Sequence, residues 1–178
     1  ATYLVGFAVK LSVLPTEGSM ILCAFLEGGT KHVDIIVRTD GRIEARRAGT
    51  TTLGTSTNFL SASQYNYIEI KLTTHNSAGV VVVKVNGVTW LNLSSQDTAN
   101  GGGPFISEFV LFGDLANPDV GVDSYADDLY ILDTSGAANN DFLGDVRIDC
   151  VRPSGAGNYS QWTPSAGANY QNVDDAAA

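Results

Sequence analysis

Val80-Val81-Val82-Val83-Lys84-Val85-Asn86-Gly87-Val88-Thr89-Trp90-Leu91-Asn92-Leu93 is two apolar, largely β-branched runs joined by the dipeptide Asn-Gly. Asn-Gly accepts the two positive φ angles of a two-residue type I′ turn, so the stretch reads as a β-hairpin. That turn sets Val85 opposite Val88, Lys84 opposite Thr89, Val83 opposite Trp90 and Val82 opposite Leu91. One face then carries Val81, Val83, Val85, Val88 and Trp90, and the other Val80, Val82, Leu91 and Leu93. A strand pair with one solvated face alternates apolar with polar. Here both faces are apolar, so the second must be covered by the chain's own tail or by another subunit.

A second hairpin is legible around Thr39-Asp40-Gly41. A three-residue loop with Gly41 in the left-handed conformation pairs Val37 with Ile43 and Ile35 with Ala45 on one face, and sets Asp34 opposite Arg46 on the other. A two-residue Asp40-Gly41 turn would place Ile35 opposite Arg46 and mix charge into the buried face, so hydrophobic matching selects the longer loop. One side of this hairpin is expected in the core and the other in water.

Outward from these hairpins, β-branched and aromatic runs separated by Gly, Asn, Asp and Ser continue from residue 3 to about residue 132, and no stretch has a helical period. Ala1 to Leu11, Met20 to Leu26, Asn66 to Thr74, Phe105 to Phe112 and Tyr125 to Leu132 read as strands. In the Asn66 strand Ile68, Ile70 and Leu72 point one way and Tyr67, Glu69 and Lys71 the other, the alternation of a half-buried strand. The expected fold is all-β, a two-sheet antiparallel jelly-roll sandwich with an irregular C-terminal extension. The sandwich is assigned to residues 1–133, an extension packed on it to 134–164 with one more strand at Gly144 to Val151, and a mobile or docked tail to 165–178.

The 178 residues suit one domain, and the formal net charge of −9 is spread along the chain. That balance repels nucleic acid and anionic lipid, so neither is an expected partner. Arg46-Arg47 reads as ordinary surface charge. No apolar run is long enough to cross a bilayer. Cys23 and Cys150, the only cysteines, read as two buried free thiols rather than a disulfide framework. The strand-like start without methionine suggests a processed or incomplete N-terminus, whose open edge another chain would cover.

Asp127-Asp128-Leu129-Tyr130-Ile131-Leu132-Asp133-Thr134-Ser135-Gly136, Asn139-Asn140-Asp141-Phe142-Leu143-Gly144-Asp145 and Tyr159-Ser160-Gln161-Trp162-Thr163-Pro164, with Tyr67-Ile68-Glu69-Ile70-Lys71 and Val83-Lys84-Val85-Asn86-Gly87 upstream, carry a resemblance over most of the chain. The chain resembles tailed-bacteriophage virion proteins with a concanavalin A-like lectin/glucanase, or laminin-G-like, β-sandwich. The resemblance implies a structural protein of a phage particle, a capsid decoration or a capsid or tail component. Its implied partners are other virion proteins and copies of itself, a trimer by preference, and its implied location is the virion. A lectin-like module recognising host surface glycans is the alternative.

A glucanase of such a fold needs two carboxylates on one strand face, commonly as Glu-x-Asp-x-Glu, to flank one glycosidic bond. Glu69 and Glu108 each stand alone in that respect and read as solvent-facing, so no catalytic residue is assigned and no enzyme is expected. Asp127 alternates onto the face of Leu129 and Ile131, and a carboxylate aimed at the core must be hydrogen-bonded or bound to metal. With Asp123, and with Asp114 and Asp119 nearby, it is a candidate for Ca²⁺; tying down a loop through backbone bonds is the plainer role. His32 and His75 lack partners at ligand spacing and read as surface residues. Tyr159 and Trp162 are the candidate glycan contacts, or anchors of the extension, and Trp90 is less suited.

Overall fold

The structure, a computed structural model, describes residues 1–101, 103, 105–112 and 122–147. The chain divides into two compact units, Ala1–Val146 and Arg147–Ala178. Among the described residues the first contains ten strands: β1 (Thr2–Leu11), β2 (Ser19–Glu27), β3 (Thr30–Arg38), β4 (Arg42–Arg47), β5 (Thr51–Phe59), β6 (Asn66–Thr73), β7 (Gly79–Val85), β8 (Val88–Gln96), β9 (Glu108–Leu111) and β10 (Ser124–Asp133). One sheet has the order β10-β1-β6-β7-β8 and the other β5-β4-β3-β2-β9. Every pairing is antiparallel. The two sheets form the expected all-β sandwich, and among the described residues no helix is long and apolar enough to cross a membrane.

Alternation builds the core. Val5, Phe7, Val9 and Leu11 of β1 join Ile68, Ile70 and Leu72 of β6 and Val81, Val83 and Val85 of β7, facing Phe25 of β2, Val33, Ile35 and Val37 of β3 and Ile43 and Ala45 of β4. Cys23 lies in this core as a free thiol, its pKa raised by burial and by the nearby Asp34 charge. Cys150 lies outside the described residues.

The β3–β4 hairpin has the expected register, with Asp34 opposite Arg46, Ile35 opposite Ala45 and Val37 opposite Ile43, and Gly41 has φ of 81°. Its outer face is not wet. Asp34, Ile36 and Glu44 are all buried there. Asp34 is enclosed because Arg46 donates to both its oxygens, at 3.4 and 2.9 Å, and Lys31 stands 3.6 Å away. Glu44 accepts from Arg38 at 2.8 Å and from Thr52 at 2.9 Å. Arg46 is therefore the partner of a buried carboxylate rather than loose surface charge.

The β7–β8 hairpin follows the type I′ expectation for two pairs and then departs from it. Asn86 and Gly87 both have positive φ, and Val85 faces Val88 and Lys84 faces Thr89. A bulge then sets Val83 opposite Leu91 and Val81 opposite Leu93, skipping Trp90. One extra residue shifts every later side chain to the other face. Leu91 joins the core with Leu93 packed against it, so the surplus apolar face that called for a neighbouring subunit is largely removed.

What apolar character remains on the outer face of β1, β6 and β10 is met by the chain itself. Leu4, Tyr67 and Tyr130 form a second cluster, with Ala8, Leu132, Phe142 and Val146 packed against it. Tyr130 lies flat over β1 because Gly6 is opposite it; a Cβ at Gly6 would sit 2.2 Å from the ring. Residues 144–147 are not strand, and the rest of the strand expected to run from Gly144 to Val151 lies outside the described residues.

Candidate functional site

Among the described residues, the side chains capable of chemistry gather in three places. The first is the covered part of the β1–β6–β10 outer face. Glu69, expected in solvent, is 1% exposed. Its Oε1 accepts the Tyr130 hydroxyl at 2.8 Å and the Gly144 N–H at 2.8 Å. Burial, with the hydrogen bond to Glu69, raises the Tyr130 pKa, and burial pushes Tyr67 up to about 12. A phenol donating to a carboxylate has the atoms of an activated nucleophile. Here both are enclosed and committed, Glu69 to the Gly144 N–H and the Tyr130 hydroxyl to the Leu143 N–H at 3.4 Å, so the pair holds residues 143–144 against the sheet.

The second place is a polar node at the β2–β3 turn. His32, expected at the surface, is fully buried, because β3 continues beneath residues 97–101. Its Nδ1 accepts the Asn100 N–H at 2.8 Å, which leaves the ring proton on Nε2, 3.4 Å from Glu27 Oε2. Glu27 in turn accepts the Gly103 N–H at 2.9 Å, and Arg47 pairs with Asp97. These bonds fasten the loop after β8. His75, as expected, is exposed.

The third place is open. At one end of the outer face of the β10-β1-β6 sheet, Tyr125 and Lys10 are cross-strand partners, and Tyr65 flanks Lys10 on the other side, just before β6. The Lys10 ammonium lies 4.9 Å from the Tyr125 ring centre and 5.4 Å from that of Tyr65. The tyrosines are 47% and 53% exposed. Two strand spacings place them about 10 Å apart. A polar clasp fixes both: Ser63 donates to the Leu11 and Ser12 carbonyls at 2.7 and 2.9 Å, and the Asp123 N–H donates to Ser12 Oγ at 2.8 Å. Their chain positions, either side of β1 by pairing rather than by sequence, hid this trio from sequence reading.

Asp127 borders the trio, opposite Ala8 on the same face. It is exposed rather than aimed at the core. Asp128, with φ of 53°, makes a bulge opposite Phe7 that reverses the alternation expected from Leu129 and Ile131. The Asp127 carboxylate accepts the Asp128 N–H at 2.8 Å. Asp123 is exposed too, and among the described residues no three His, Cys, Asp or Glu side chains are grouped to hold a metal ion. Asp114, Asp119, Tyr159 and Trp162 lie outside the described residues.

No family model and no curated protein matches the chain. Solved structures do. A Trypanosoma rangeli sialidase in complex with 2,3-difluorosialic acid is similar at 16% identity and a TM-score of 0.54, over 73% of this chain and 20% of the sialidase. A mutant of that sialidase displaying trans-sialidase activity gives 17% identity and 0.53, over the same shares. An endo-β-1,4-glucuronan lyase from Trichoderma reesei gives 14% and 0.44, over 55% of this chain and 50% of the lyase. The chain thus spans half or less of these proteins, and the likeness is one of fold.

That fold corrects one expectation. The sandwich occurs within sialidases, so the absence of a Glu-x-Asp-x-Glu strand does not make this chain a non-enzyme. The missing carboxylate pair tests only one route of glycoside cleavage; a tyrosine nucleophile is another.

Proposed function

We propose that the chain is a carbohydrate-binding, lectin-like module whose glycan site is the platform of Tyr65, Lys10 and Tyr125. The observation that carries this reading is the pair of half-exposed rings, set two strands apart on one sheet face with a donor between them. A tyrosine ring offers an apolar face to the C–H side of a pyranose and a hydroxyl to its rim. The clasp around Ser12 holds the rings before ligand arrives, which lowers the ordering cost of binding. Similarity in fold to sugar-processing proteins supports the same class of ligand. Isothermal titration against a glycan panel tests it: binding lost in Tyr65→Ala and Tyr125→Ala, with thermal midpoints kept, is expected. Binding that survives both substitutions places the site elsewhere.

Attachment to a tailed-phage particle as a homo-oligomer is the second reading. Leu129 and Ile131 favour it, since they leave 38% and 52% of their surfaces exposed on β10, which among the described residues is an edge strand. Light scattering of the full chain separates the two, because a monomer at high concentration that does not bind particles leaves only the glycan reading.

A further inference from the structure

We infer that the platform takes a glycan carrying an anionic group, a carboxylate or sulfate on a pyranose ring, and that Lys10 selects it; this rests on the carbohydrate reading above. The chain has 19 acidic and 10 basic residues, so an uncommitted cation is uncommon in it. Lys31 and Arg46 meet Asp34, Arg38 meets Glu44, Arg42 meets Asp40, Arg47 meets Asp97 and Lys71 meets Asp141. Lys10 is different: among the described residues its ammonium meets two ring faces and no carboxylate. Lys84 also meets a ring, 4.1 Å from that of Phe142, but that ring belongs to the segment packed on the sheet. The rings around Lys10 are exposed, so a ligand stacked on either one comes within reach of the ammonium.

An ammonium has three donors and no acceptor, and its bonds to an anionic oxygen are roughly twice as strong as neutral ones. Asp127 stands on one side of the platform and repels an anion there. Asp123, held at Ser12 on the other side, is acidic as well, so the anionic group is confined to the space over the Lys10 ammonium between the two rings. The overall charge of −9 does not prevent this, because charges beyond about 8 Å are screened at physiological salt.

The test is titration of the full chain with three probes: a hexamer of galacturonic acid, the same hexamer as its methyl ester, and a heparin hexasaccharide. The acid hexamer or the heparin fragment is expected to bind about tenfold more tightly than the ester, as one charge-assisted bond provides. Which of the two binds identifies carboxylate or sulfate as the group taken. Lys10→Met, with its thermal midpoint and near-ultraviolet spectrum unchanged, should reduce both to the level of the ester, and added NaCl should weaken the acidic probes alone. An ester that binds as tightly as the acid, or a preference that persists in Lys10→Met, overturns the inference while Tyr-dependent binding keeps the carbohydrate reading. If no probe binds, the inference falls, and the glycan panel with Tyr65→Ala and Tyr125→Ala decides the carbohydrate reading separately.

Discussion

Glu69 and Tyr130, 61 residues apart, share a hydrogen bond of 2.8 Å beneath the segment that follows β10. The same carboxylate oxygen holds the Gly144 N–H, so one buried side chain joins β6, β10 and the covering segment. Tyr130→Phe keeps the ring over Gly6 and deletes one donor to a carboxylate that water does not reach. A loss of about 1–3 kcal/mol is expected from urea unfolding. Hydrogen exchange should rise at Leu143 and Gly144 before it rises in β6.

Gly6 is the position that lets Tyr130 lie on the sheet. A methyl group there would stand 2.2 Å from Cε1 and 2.6 Å from Cζ of the ring, so the ring must leave or β1 must move. Gly6→Ala should therefore cost about 1–3 kcal/mol through overpacking. Because the clash is with one side chain, Gly6→Ala combined with Tyr130→Ala should be less damaging than the two single costs added. Additive losses in urea titrations would show that the strain lies elsewhere.

How far the sequence could be read follows from what each signal depends on. The β3–β4 register was legible because a glycine-requiring turn and the pairing of Val37 with Ile43 agree with each other. β5 carries no such signal, since Thr51-Thr52-Leu53-Gly54-Thr55-Ser56-Thr57-Asn58-Phe59 is too polar for apolar alternation to mark it. The bulges at Trp90 and Asp128 are invisible to a period-two count, which has no means of registering an extra residue. The platform was hidden for another reason: Tyr65, Lys10 and Tyr125 are brought together by pairing of remote strands, and a lone lysine between ordinary residues gives no local pattern.

The polar outer face of β3, β4 and β5 makes stability depend on acid. Burial raises the Glu44 pKa, but hydrogen bonds from Arg38, Thr52 and Thr55 and the Arg38 charge outweigh it, leaving the group below its ordinary value. A carboxyl with a depressed folded-state pKa binds fewer protons folded than unfolded, so its contribution is complete above the ordinary glutamate range. It is lost as pH falls through that range and down to the folded-state value. Glu44→Gln should accordingly flatten the acid limb of a plot of urea midpoint against pH and leave the neutral region with a constant offset. An unchanged acid limb would mean that Glu44 does not contribute to it.

Leu91 decides between the two registers of the β7–β8 hairpin. Without the bulge it would stand opposite Val82 on the outer face, where truncation costs little. With Trp90 skipped it faces Val83 and is 5% exposed, so Leu91→Ala removes a core side chain and should cost about 2–5 kcal/mol. Val82→Ala, on the half-buried outer face, should cost less. Deleting Trp90 removes the extra residue but leaves Leu91 opposite Val83 and Leu93 opposite Val81, so both keep their core positions and the cost is confined to the packing of the Trp90 ring. A Leu91→Ala variant as stable as the parent, beside a damaging Val82→Ala, would assign the hairpin its unbulged register and restore the apolar outer face that a partner subunit would have to cover.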